Sequence, residues 1–540
     1  MLSSLIALVC VGFGLRAYRL SAEGLSEDEL NKLLAVEDYR ARGLTSTNGE
    51  HPMLMKALLT SSIVVAERWN RAGLIQANSS LQIAPESALR LPSAVFGALT
   101  ALLIYLVVAE LFGPLTGLIA AALWAFDPAA IGFNRIAKED TFLLFFFLLA
   151  NFFWLRGQRA AESGVAHPER YYWATAAAFG AMMASKYLPH LLAIGTSYYH
   201  IFQALPQTRW RLGKKKYLIF FLIMGAVFLV CNPAILLPET WHEMRIFAGE
   251  RRIGHDGYEF MGRLYPNQMS LWLNGSPWYF YYAFMAFKLP LSVVFAFLVG
   301  LPLLFQKRLG DGRYFILFWM FYWFFPFSLM GGKFLRYFTL ALPVVLITAA
   351  VGIHALAQWL TQVFGWIAGG DGRRKALAQL CVAAVFVFTS ASAAISFAPY
   401  YRLYTNELGG GRTHAGDFFP HDEFYDGGVR ETAIAVARLA PPGGRVASET
   451  PGLLSHYARL AGRDDLISIS LSDRAALGGM REGDLLVVAR GRRYFSNDEL
   501  LKKLENISRP IVQTSLGELP ATLVYQLDQA SRRVVVELSR

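Results

Sequence analysis

"LSSLIALVCVGFGLRAYRLSAEGLSEDELNKL", residues 2–33, decides how the rest of the chain is read. Leu2 to Leu15 is an apolar run, most of the ~20 residues that cross a bilayer. It leads into a polar segment carrying three consecutive carboxylates, Glu27, Asp28 and Glu29. Ser26 and Glu29 form an S-x-x-E capping box that opens a helix ending near Gly43. Leu30, Leu33 and Leu34 share one face of it, which suits a helix resting on a membrane surface.

Apolar runs like the first recur through the first 400 of the 540 residues. Hydrophobic residues make up 54% and charged residues 17%, and the mean hydropathy is +0.35, outside the range of soluble domains. By length and apolarity we read about eleven spans: 2–18, 89–112, 114–134, 141–155, 171–184, 187–204, 217–238, 289–305, 314–331, 336–363 and 376–398. The chain is expected to be a polytopic α-helical membrane protein. The segment 52–68 is read as interfacial because Lys56 interrupts it, and a true span there inverts everything that follows. The aromatic stretch 278–288 also suits the interface.

The net charge of +11 is distributed as a topology signal and not as a nucleic-acid patch. Arg209, Arg211, Lys214, Lys215 and Lys216 fill one connection, Lys307, Arg308 and Arg313 a second, and Arg373, Arg374 and Lys375 a third. Placed inside by the positive-inside rule, they put the N-terminus inside and the C-terminus outside. Arg16 and Arg19 run against that orientation.

After Phe397 the composition changes. We divide the chain into a membrane domain, 1–400, whose first external loop is 19–88, and a small α/β domain, 401–540, on the outer face. "RVASE", "LLVVAR" and "TLVYQL" read as strands, and 428–439 and 497–505 as helices. No G-x-G-x-x-G, Walker lysine loop, H-E-x-x-H or G-x-S-x-G is present, and Cys10, Cys231 and Cys381 lie within apolar runs at no metal or redox spacing. We expect neither metal nor cofactor.

The topology gathers polar residues on one face. Glu27, Asp28, Glu29, Glu50 and His51 lie in the first external loop. Arg135, Lys138, Glu139 and Asp140 form the turn between spans three and four, and Lys186, Lys288, Lys333 and Arg336 sit at other external ends. Acids able to take a proton thus face bases able to hold an anion arriving through the membrane. A transporter or flippase is the competing class, but transporters place ionisable groups near the midplane in repeated halves. A receptor or scaffold leaves the carboxylate loop without a task.

Four stretches carry a resemblance: "SEDE" (26–29), "EHPMLMK" (50–56), "FNRIAKEDTFLLFF" (133–146) and "AFGAMMASKY" (178–187). In order and spacing the chain resembles the dolichyl-phosphate-mannose–protein mannosyltransferase family and its bacterial relatives, lipid-phosphate-dependent glycosyltransferases of the GT-C fold. "KFLRYFTLALP" and "APYYRLYTNELGGG" are similar to late elements of the bacterial branch. Met53 stands where the family has a second proline, and the C-terminal domain differs from the eukaryotic lumenal one. The resemblance implies a polyprenyl-phosphate-linked sugar donor, an inverting transfer to a protein Ser/Thr, envelope glycan or lipid hydroxyl, and a bacterial inner-membrane location with the site outside. It also implies that Asp28 is the base, with Glu29 beside it. Glu50, His51 and Asp140 line the substrate, and Arg135, Lys186, Lys288, Lys333 and Arg336 are the candidates for the phosphate, Arg135 foremost.

Overall fold

A computed structural model describes residues 2–188, 191, 194–195, 214–249, 255–363 and 372–539. Most of the expected span 187–204 and of the basic connection 209–216 lies outside them. The membrane part runs α1 (Leu2–Ala17), α2 (Glu27–Arg42), α3 (Met53–Asn70), α4 (Pro85–Phe112), α5 (Pro114–Phe126), α6 (Pro128–Asn134), α7 (Glu139–Glu162), α8 (Glu169–Met183), α9 (Lys214–Cys231) and α10 (Pro238–Gly249). A hairpin, β1 (Gly257–Phe260) with β2 (Arg263–Pro266), precedes α11 (Phe280–Lys288), α12 (Leu291–Leu303), α13 (Gly312–Leu329), α14 (Leu342–Val363) and α15 (Gly372–Phe397).

Among the described residues four helices are long and apolar enough to cross a membrane, those ending at Phe112, Glu162, Val363 and Phe397. A fifth exists if α5 and α6 count together. The expected span 114–134 is not one straight helix, because α5 and α6 meet at 62°. Asp127 accepts the N–H of Ala130 at 2.8 Å and Pro128 takes the first helical position, so a new helix starts there. The expected span 336–363 likewise shortens: 335–340 is a 3₁₀ segment and α14 starts at Leu342.

Arg16, which ran against the charge rule, is fully buried. Its guanidinium donates to the carbonyls of Gly12, Trp124 and Ala125 and to Asn134 Oδ1, so it packs helices and is not a loop charge. Glycine sets the crossing of α12 and α14. A Cβ on Gly300 of α12 falls 2.0 Å from the Thr348 carbonyl oxygen, and one on Gly352 of α14 falls 2.1 Å from that of Ala296. The two backbones touch because neither position carries a side chain.

The C-terminal part holds α16 (Val429–Leu439), β3 (Arg445–Ser448), α17 (Pro451–Leu460), β4 (Ile467–Ser470), β5 (Leu485–Ala489), α18 (Asp498–Ile507), β6 (Val512–Leu516), β7 (Leu519–Gln526) and α19 (Gln529–Ser539). The strands order β4-β3-β5-β7-β6, parallel across β4, β3 and β5 and antiparallel beyond. One face packs on α18 and α19 through Leu486, Leu500, Leu504, Tyr525 and Val535. On the other face Val446, Val487 and Val524 join Ala433, Val436 and Leu454 in a cluster that continues into Leu25, Leu30, Val36, Met55 and Leu59. The sheet domain and the first polar loop therefore share a core.

Candidate active site

The capping box forms as the spacing requires: Ser26 Oγ accepts from the Glu29 N–H at 3.3 Å, and Glu29 Oε2 accepts from that of Ser26 at 3.0 Å. Successive residues on a helix point about 100° apart, so the three carboxylates at the start of α2 meet three different environments. All three also offset the positive end of the helix dipole.

Glu29 turns inward and is fully buried. Arg90 of α4 grips it through two hydrogen bonds, 2.8 Å to Oε1 and 2.7 Å to Oε2, and Oε1 accepts the Ala137 N–H at 3.0 Å. Arg90 also donates to the carbonyls of Leu20, Glu23 and Gly24. The geometry therefore moves Glu29 out of the catalytic pair read from the sequence: both its oxygens are taken, and it fastens the loop to α4. Glu27 turns to the C-terminal domain, where Arg492 meets its carboxylate at 3.0 Å and Asp426 Oδ2 accepts its N–H at 2.9 Å.

Asp28 turns to a cluster of cations, with about a third of its side chain exposed. Three donors meet one oxygen, Oδ2: Lys138 Nζ at 2.6 Å, the Tyr425 hydroxyl at 2.8 Å and Arg336 Nη1 at 3.5 Å. Burial alone pushes this carboxyl up, but Lys138, Arg336 and Lys32 overcome it and hold it well below its usual range. Asp28 is ionised at neutral pH.

Beside it runs a ribbon of alternating charge. Glu139, buried, lies 3.0 Å from Lys32 Nζ and 3.6 Å from His51 Nδ1. Asp140 pairs with Lys186 Nζ at 2.6 Å, and that ammonium sits 5.2 Å from the centre of the Tyr337 ring. Burial, reinforced by Lys32, Lys138 and Lys186 against the pull of Glu139, holds His51 well below the ordinary histidine value, so it is neutral at pH 7. Glu50 accepts from Asn48 Nδ2 at 2.5 Å and lies 4.0 Å from His51 Nε2.

Lys186 and Arg336 thus reach this cluster. Three other cations expected there do not. Arg135 donates to the carbonyls of Arg16, Tyr18 and Arg19 at 2.8, 2.7 and 3.0 Å and lies over the Tyr401 ring. It holds the turn after α1, and Asp140 pairs with Lys186 instead of with it. Lys288 is buried on Glu423 and Thr405, and Lys333 on the carbonyls of Ser276 and Met330. In their place stands Lys138. Lys138 lies in the same turn, three residues from Arg135, and its place in the sequence does not mark it as a phosphate candidate. Among the described residues no group of three or more His, Cys, Asp or Glu is placed to hold a metal ion.

A core of long apolar helices, a C-terminal α/β domain and a cluster of paired acids and cations between them have the architecture of the GT-C fold. Residues 73–234 match the family model described as dolichyl-phosphate-mannose-protein mannosyltransferase. The fold agrees with that of ArnT from Cupriavidus metallidurans in the apo state, with a TM-score of 0.54 at 13% identity over 99% of this chain and 98% of that one. The apo oligosaccharyltransferase of Archaeoglobus fulgidus gives a TM-score of 0.53 at 12% identity, over 90% of this chain and 69% of that one. No curated protein matches significantly in sequence.

Proposed function

We propose that this integral membrane enzyme transfers a hexose, mannose or a similar sugar, from a polyprenyl-phosphate donor to an acceptor hydroxyl at the outer face of the membrane. The observation that carries the reading is Asp28, ionised, partly exposed and flanked by Lys138 and Arg336. Asp28 takes the acceptor's proton as the acceptor oxygen bonds to the anomeric carbon. The bond from that carbon to the phosphate oxygen breaks, and its electron pair leaves with the polyprenyl phosphate. Lys138 and Arg336 meet the growing charge on that oxygen, as Lys186 does from the ribbon, which stabilises the transition state more than the ground state.

The same cations explain how a carboxylate of depressed basicity serves as a base. When a phosphate shares Lys138 and Arg336, their hold on Asp28 weakens and its affinity for a proton rises where the donor is bound. Glu27 and Glu29, its neighbours in sequence, are committed to the fold. A single displacement with inversion follows.

The proposal includes about eleven spans with the N-terminus inside, residues 401–540 outside, and the inner membrane of a bacterium as the location. The acceptor is a protein Ser/Thr hydroxyl, with an envelope glycan or lipid as the alternative. Incubating the purified protein with labelled polyprenyl-phosphate sugars and membrane or envelope fractions shows which label moves and onto what. Failure of every such donor to lose its sugar overturns the reading.

A further inference from the structure

Taking Asp28 as the base, as proposed above, a residue almost 400 positions away completes it. Tyr425 ends the short helical turn Pro420–Phe424 with φ 46° and ψ 50°, and Asp426 follows at φ 64°. Two consecutive non-glycine residues in the left-handed region are costly and persist only where their surroundings force them. Those surroundings are visible. Arg492 grips Asp426 through two hydrogen bonds, 2.6 and 2.5 Å, while Asp426 Oδ2 accepts the Glu27 N–H. The Arg402 guanidinium lies 5.6 Å from the centre of the Tyr425 ring and pairs with Glu23. The strained turn is thus pinned on both sides to the loop that carries Asp28, and the phenol, 8% exposed, ends 2.8 Å from Asp28 Oδ2.

The three donors on Oδ2 differ in what they can fix. An aspartate's terminal torsion is soft and roughly two-fold. Lys138 ends a flexible four-carbon stem and offers a point charge with rotatable protons. Arg336 at 3.5 Å is beyond a good hydrogen bond. The phenol is rigid, with two side-chain torsions on a pinned backbone, and directs its hydrogen bond to one oxygen. Among the described residues no hydrogen bond is made to Oδ1.

We propose that Tyr425 is a positioning residue for the transfer: its hydroxyl clamps Oδ2 of Asp28 and leaves Oδ1 as the oxygen that takes the acceptor's proton. The residue comes from the C-terminal domain, so that domain is part of the reaction centre.

The test uses the full-length purified enzyme and carbon-14-labelled mannosyl undecaprenyl phosphate, with loss of label from the lipid to acceptor or water as the readout. Tyr425→Phe keeps the ring and removes one hydroxyl. It is expected to lower kcat about tenfold, the range of one charge-assisted hydrogen bond, with donor KM within twofold and the thermal midpoint preserved. On the Asp28→Asn background the same change is expected to cost nothing further, because Tyr425 acts through Asp28. Wild-type kcat in Tyr425→Phe overturns the proposal, as does an equal tenfold loss on the Asn background. A fully active Asp28→Asn enzyme removes the base itself, a failure distinguishable from the other two.

Discussion

Arg90 and Glu29, 61 residues apart, meet through two hydrogen bonds of 2.8 and 2.7 Å in a fully buried setting. Removing one member of such a pair leaves an uncompensated charge in the interior, which costs about 3–5 kcal/mol. Arg90→Ala is expected to abolish folding or lower the thermal midpoint sharply. Glu29→Gln keeps the capping box but loses the ion pair, so it lowers the midpoint while kcat per folded molecule stays within about threefold of wild type. Thermal unfolding beside turnover in detergent checks both. A stable, inactive Glu29→Gln enzyme would return Glu29 to the chemistry.

Asp28→Asn leaves the size and the hydrogen-bonding geometry of the helix start in place but removes the proton acceptor. Turnover is expected to fall about 10²-fold or more, while loss of the pairing with Lys138 and Arg336 lowers the thermal midpoint without preventing folding. A folded variant that transfers sugar at the normal rate overturns the base.

Lys138→Met and Arg336→Gln are expected to raise donor KM and lower kcat together, since each removes a charge facing the departing phosphate. Arg135→Ala is expected to do neither. It frees three carbonyls of the turn after α1 and lowers thermal stability with donor KM unchanged. Donor titrations on the three variants separate the groups, and a KM effect confined to Arg135→Ala would reverse the assignment.

Acid pH is expected to destabilise the fold in two stages. His51 and His421 are held well below the ordinary histidine value, both chiefly by burial, His421 with Arg492 and Arg336 adding to it. Below about pH 6.5 the unfolded chain binds protons at these rings that the folded chain refuses, so stability falls as pH falls. Asp28 and Glu29 have depressed values, so their contribution, present above about pH 4, disappears below it. Midpoints measured from pH 7.5 to 5 should flatten in His51→Gln/His421→Gln. An unchanged slope counts against the first stage.

The topology is testable with single cysteines at Ser46, Gly213 and Ser472 on a background lacking Cys10, Cys231 and Cys381. An impermeant maleimide on intact cells is expected to label 46 and 472 and to spare 213. Labelling at 213 alone inverts the arrangement and leaves Asp28 facing away from a donor in the outer leaflet.

What was legible in the sequence was local. The capping box follows from four residues, and strands β3, β5 and β7 from short apolar runs. Charge near a predicted span end was a poorer guide. Arg135 and Lys138 share one turn, and only the packing of α1 and α2 against it decides which meets Asp28. The break between α5 and α6 was written as Asp127-Pro128 but hidden by apolar residues on both sides. Tyr425 carried no local sign, since its role depends on a contact across 397 positions.

Three contacts that orient the acidic loop are long in sequence: Leu25 to Tyr457, Asp28 to Tyr425, and Glu27 to Arg492. Synthesis starts at the end that carries this loop and proceeds at ~5–20 residues per second. When the first loop leaves the ribosome, the partners that orient it are still about 400 residues, or 20–80 s, from being made. The nascent chain thus inserts most of its helices while its carboxylates have none of those partners. The orientation of these carboxylates comes last in assembly, and a chain interrupted before residue 425 lacks the contact between Asp28 and Tyr425.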